Sequence, residues 1–83
     1  MAMTKEEIFN DVKAIAVDEL EVDADKVTMD AKIQDDLGAD SLDVFEIMNE
    51  LEDKYDIELD SDESVTTIAE VVDLVAKQIA AKD

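Results

Sequence analysis

The chain has no cysteine, histidine, arginine, proline or tryptophan, and only one glycine, Gly38. Without cysteine there is no disulfide framework, so the fold must rest on apolar packing, and nothing points to an oxidising compartment; the expected setting is the cytoplasm. Without histidine, cysteine and arginine the chain lacks the commonest general base, a thiol nucleophile, the soft metal ligands and the bidentate phosphate clamp. Carboxylates, hydroxyls and seven lysines are what remain for chemistry. No run approaches about 18 consecutive apolar residues, and no apolar stretch follows a basic leader, so neither a membrane span nor secretion is expected. With 83 residues, the chain is expected to form one domain over 1–83, with a modest core and no deep cleft between domains. Enzymatic activity is disfavoured on those grounds. Met3 can serve as the native start, so Met1-Ala2 reads as an added extension outside the fold.

Charge of one sign dominates what is present. There are 25 acidic residues against seven basic ones, a formal charge of −18, which repels polyanions and makes nucleic acid an improbable partner. The hydrophobic fraction of 47% is nonetheless that of a globular chain rather than a disordered one. The charge has an ordinary reading as a solubilising surface and a functional one as a docking face for basic partners. Between Asp40 and Asp62 the only cation is Lys54, so any partner of that stretch should be basic.

Thr4 and Glu7 have the capping-box spacing, and Ile8, Val12, Ile15, Ala16 and Leu20 follow at helical intervals, which predicts a first helix over about 4–19. From Glu21 to Ala39 the period fails, leaving Val27, Ile33 and Leu37 as isolated apolar anchors of a long Asp-rich loop. Gly38 sits just before the next periodic segment, where positive φ or a close approach would require glycine. Asp40 is the expected N-cap of a second helix with Asp43 at its third position. Leu42, Phe45, Met48, Leu51 and Tyr55 form one apolar stripe along it, and Val44, Ile47 and Leu51 a second. A short helical turn is expected over 60–66, capped by Asp60 or Ser61. Thr67 then caps a last helix with Ile68, Val72, Val75 and Ile79 on one face and Val71 and Leu74 beside them. The expected fold is all-α, a small four-helix bundle of three main helices and one short one, with a long loop between the first two.

Two candidate sites compete for the chemistry. The alternating Asp56, Glu58, Asp60 and Asp62 invite a calcium loop, but an EF-hand counted from Asp56 needs Gly and Glu where Ser61 and Thr67 stand. Counted from Glu21, the same two places hold Lys26 and Lys32. No specific metal site is expected, only weak divalent binding to the acidic surface. The other candidate is Ser41 in Asp40-Ser41-Leu42-Asp43, a hydroxyl at a helix start, where unpaired N–H groups and the positive end of the macrodipole favour a phosphate. No base stands ready to make it a hydrolytic nucleophile, and the Gly-x-Ser-x-Gly elbow is absent. A serine there also has the plain explanation of being a cap.

The run Asp35-Asp36-Leu37-Gly38-Ala39-Asp40-Ser41-Leu42-Asp43, followed by an acidic amphipathic helix through Tyr55, resembles the attachment motif of the acyl carrier proteins. The resemblance extends from Thr4 to about Ile79 in length, acidity, helix order and loop placement. It implies a covalent 4′-phosphopantetheine on Ser41, transferred from coenzyme A by a separate phosphopantetheinyl transferase with Mg²⁺. It further implies that acyl chains ride as thioesters on that arm and pass among the enzymes of fatty acid synthesis, which dock through basic patches. The docking surface so implied is Asp40, Leu42, Asp43, Phe45, Glu46, Asn49 and Glu50, and the acyl-cavity lining is Ile47, Met48 and Leu51. A monomer is expected. Asn49 stands where many relatives carry an apolar contact, and the stretch between Leu59 and Thr66 is about two residues shorter than usual and lacks the usual proline. Two kinds of alternative remain open: a dedicated carrier for polyketide, D-alanyl or peptidyl transfer, and an unmodified acidic helical protein that binds partners or buffers ions. Asp before the serine fits a fatty acyl or polyketide carrier better than a peptidyl one.

Overall fold

A capping box starts the first helix. The Thr4 hydroxyl accepts the amide of Glu7 at 3.2 Å, and the Glu7 carboxylate accepts the amide of Thr4 at 3.1 Å, so α1 runs Lys5–Leu20. The computed structural model describes residues 4–59 and 66–82. α1 buries Ile8, Val12 and Ala16, while Ile15, expected on the same stripe, is only half-buried at its edge. The helix ends on Glu21 in the left-handed region, whose amide reaches back to the carbonyl of Val17 at 3.0 Å.

The loop after α1 is anchored as its isolated apolar residues suggest, with Val27, Ile33 and Leu37 all buried and Ala31 and Ala39 buried beside them. It contains a 3-10 turn over Ala24–Lys26 that the hydrophobic period does not show. It is also tied to the far end of the chain. Lys32 and Thr67 form an isolated antiparallel bridge, in which the Ile68 amide donates to the carbonyl of Ala31 at 3.0 Å. Each such bond satisfies a backbone group that a buried loop would otherwise strand.

α2 spans Ser41–Tyr55 and α3 spans Ile68–Lys82. Thr67 caps α3 as expected, its hydroxyl accepting the amide of Glu70 at 3.3 Å. α1 packs against both other helices. Ile8, Ile33, Leu51 and Ile68 are among the most deeply buried side chains, and they come in turn from α1, the loop, α2 and α3, so every segment contributes to one core. The described architecture is all-α, with three α-helices and the 3-10 turn. The short helix expected at 60–66 falls, except for Thr66, outside the described residues, and Thr66 itself is not helical.

Candidate functional site

The start of α2 is built by aspartates. Asp40 is extended, at φ −93° and ψ 179°, and its carboxylate accepts the amide of Asp43 at 2.9 Å. The Asp43 carboxylate in return accepts the amide of Asp40 at 3.3 Å. This reciprocal box satisfies two donors of the first turn and places negative charge at the positive end of the helix. Ser41 is therefore the first helical residue and not the cap. It is exposed, and neither its hydroxyl nor the amides of Ser41 and Leu42 have a partner among the described residues. An exposed, uncommitted hydroxyl beside two open amides can accept a phosphodiester without breaking any existing bond.

Gly38 sets the approach to that turn. Its φ is +72°, a left-handed conformation that side chains disfavour, and a Cβ built there would meet nothing within 4 Å. The conformational requirement expected from the sequence holds, whereas the alternative of a close backbone approach does not. Around it the chain is tightly braced: the Asp36 carboxylate accepts the amide of Lys32 at 2.8 Å, and the Ala39 amide donates to the carbonyl of Ile33 at 3.2 Å. Ala39, buried, then anchors the chain just before Asp40.

Along α2 the two apolar stripes separate. Ile47, Met48 and Leu51 are buried in the core, Val44 and Tyr55 are half-buried, and Leu42 and Phe45 stand 63% and 52% exposed. Asp40, Leu42, Phe45, Glu46, Asn49 and Glu50 all lie on the exposed surface, and Asp43 is partly covered. The helix thus sorts its apolar residues by face, with three turned into the core and two large ones left in water next to Ser41. Large apolar side chains exposed among carboxylates have the make-up of a contact surface.

Glu19 was not expected at this face. The pKa of its carboxyl, near the end of α1, is pushed up first by hydrogen bonding with Glu50, then by burial and by the charges of Glu50 and Glu46. No period within either helix reports an approach between two helices. At the other end of the same pair, the Tyr55 hydroxyl donates to the carboxylate of Asp11. Burial, followed by that bond and the charge of Asp11, pushes the Tyr55 pKa up.

Over residues 10–75 the chain matches the family described as a phosphopantetheine attachment site. It is 52% identical over 69 residues to an acyl carrier protein of Campylobacter jejuni, covering 81% of this chain and 90% of that protein. It is 51% identical over 70 residues to an acyl carrier protein of Campylobacter lari, covering 82% of this chain and 91% of the relative. The matched span includes Ser41 and all of α2.

Proposed function

The chain belongs to the acyl carrier protein family, and on that premise we propose that Ser41 is the residue that receives 4′-phosphopantetheine and that α2 is the surface its enzymes read. The observation that carries the reading is the division of labour at the helix start: Asp40 and Asp43 do the capping, which leaves the Ser41 hydroxyl exposed and uncommitted. Ser41 is here a substrate rather than a catalyst. A transferase with Mg²⁺ deprotonates the hydroxyl, whose oxygen attacks the pyrophosphate of coenzyme A and forms a phosphodiester, the nucleotide leaving with the other phosphate. The chain then needs no base of its own, in keeping with its lack of histidine. The bound group supplies the thiol on which acyl chains are held as thioesters.

The remaining roles follow from where side chains lie. Leu42 and Phe45 anchor partner enzymes, while Asp40, Asp43, Glu46 and Glu50 steer basic patches onto them, with Asn49 as a polar contact between. Ile47, Met48 and Leu51, buried behind that face, part to shelter an acyl chain, and the unbranched thioether of Met48 suits a guest of variable length. The pathway is fatty acid synthesis, in the cytoplasm, with the domain working as a single unit. Among the described residues no helix is long and apolar enough to cross a membrane.

Incubation with coenzyme A, Mg²⁺ and a broad-specificity phosphopantetheinyl transferase, followed by intact mass measurement, tests the assignment. The wild type should gain one phosphopantetheine and Ser41→Ala none. A wild type that gains nothing, or a Ser41→Ala variant that still gains mass, overturns it.

A further inference from the structure

The solvent-facing side of α2 has an order that its charge alone does not convey. At about 100° per residue, Leu42, Phe45 and Asn49 fall within about 60° of one another, and all three are exposed. Asp53, Glu46 and Glu50 follow in turn round one flank, exposed as well. Glu52, on the other flank, is half-buried, and its carboxylate accepts the amide of Leu59 at 3.0 Å. Lys54 is exposed but stands about 140° round the helix from Asn49.

Hydrogen-bonding capacity on this side is lopsided. Leu42 and Phe45 offer no polar side-chain atom, and ionised carboxylates only accept. Asn49 brings an amide with two N–H donors, exposed and without a partner among the described residues. The Ser41 hydroxyl, the other neutral donor exposed on α2, lies about 12 Å back along the axis and is consumed once it becomes a phosphodiester. An acceptor on an approaching surface is therefore repelled by carboxylates along the flank and received at one place, Asn49. A single asparagine within an apolar helical interface fixes register in the same way, because it must meet its complement when water is excluded.

Resting on the reading of α2 as the docking face, we propose that Asn49 is its register key. The partner that fits is a carrier-dependent enzyme whose docking surface holds an apolar pocket for Phe45 and basic residues for Glu46, Glu50 and Asp53. One helical turn beyond the pocket, it presents an acceptor, such as a backbone carbonyl, to the Asn49 amide. Charge draws the two surfaces together at several offsets, since carboxylates recur along the helix at Asp43, Glu46, Glu50 and Asp53. The amide selects the one offset at which Ser41 is presented correctly. A surface that closes over Asn49 without an acceptor strands two donors and binds more weakly.

Surface plasmon resonance of the full chain, loaded with phosphopantetheine, against a purified fatty acid condensing enzyme of the same organism at several salt concentrations tests this. Asn49→Ala and Asn49→Leu should each raise the dissociation rate about 10-fold and leave the association rate and its salt dependence unchanged. Asn49→Asp should weaken binding at least as much, although it adds charge of the sign that a basic partner favours. Phe45→Ala should also speed dissociation, whereas Glu46→Ala combined with Glu50→Ala should slow association and flatten its salt dependence. A wild-type dissociation rate in Asn49→Ala, or tighter binding by Asn49→Leu or Asn49→Asp, overturns the register key; the docking face itself then stands so long as Phe45→Ala weakens binding. If neither Phe45→Ala nor the double carboxylate variant changes binding, α2 is not the docking face and the proposal falls with that reading.

Discussion

The backbone amide of Ile33 donates to the carbonyl of Thr66 at 2.8 Å, joining the middle of the long loop to the residue just before the cap of α3. The Ala69 amide, on the carbonyl of Met29 at 2.9 Å, continues the same seam into the first turn of the helix. The segment that delivers the chain to Ser41 is thereby held to α3 as well as to the core. A loop with that many satisfied backbone groups acts as part of the scaffold, and α2 begins from a fixed point.

The cap and the serine should separate cleanly in stability. Asp40→Ala loses the bond to the Asp43 amide and should cost about 1 kcal/mol in urea denaturation followed by circular dichroism. Ser41→Ala removes an exposed hydroxyl that has no partner among the described residues and should stay within about 0.5 kcal/mol of wild type. Equal costs would make the serine part of the cap.

Gly38→Ala should cost about 1 kcal/mol, and Gly38→Asn less, because only the left-handed backbone resists a side chain there. The space around the position is open, so a loss of several kcal/mol in the same denaturation experiment would contradict this account.

Tyr55→Phe removes the donor to Asp11 at a partly exposed site and should destabilise by about 1 kcal/mol at neutral pH. The folded-state pKa of Tyr55 is raised, so this contribution is fully present below the unfolded value of about 10 and declines as pH rises beyond it. The gap between wild type and Tyr55→Phe should therefore be flat through neutral pH and shrink in alkali. A gap that widened in alkali would reverse the sign of the linkage.

Leu51 and Phe45 lie on the same helix and should fail differently. Leu51→Ala opens a cavity at a fully buried position and should cost about 2–5 kcal/mol of folding stability. Phe45, half in water, should cost little stability on truncation to Ala but should weaken association with partner enzymes, measured by titration against an isolated synthesis enzyme.

What was legible in the sequence was local. Thr4 with Glu7, Asp40 with Asp43 and Thr67 with Glu70 are three residues apart, and a pairing at that distance is written into any helix start. The buried faces of α1 and α3 follow the helical repeat for the same reason, and Val27, Ile33 and Leu37 stand out as anchors because the surrounding loop is polar. On α2 the repeat gave apolar positions over more than half the circumference and could not by itself say which face outward; the family resemblance put Leu42 and Phe45 on the docking surface, and they are the two large apolar side chains left exposed. The 3-10 turn left no mark because a three-residue element carries too few positions to define a period.

The sequence by itself determined the helices, their caps, the placement of the single glycine and an attachment motif, since each depends on neighbours within a turn or two of chain. Only the tertiary structure decided that residues 44 positions apart, Tyr55 and Asp11, meet across two helices. It also decided that the carboxyl of Glu19 on α1 is shifted by Glu50 and Glu46 on α2, and that the loop is fastened to α3. Those relationships arise when separate segments bury one shared core, and the side chains that meet at its edges are set by how the helices cross rather than by any spacing along the chain.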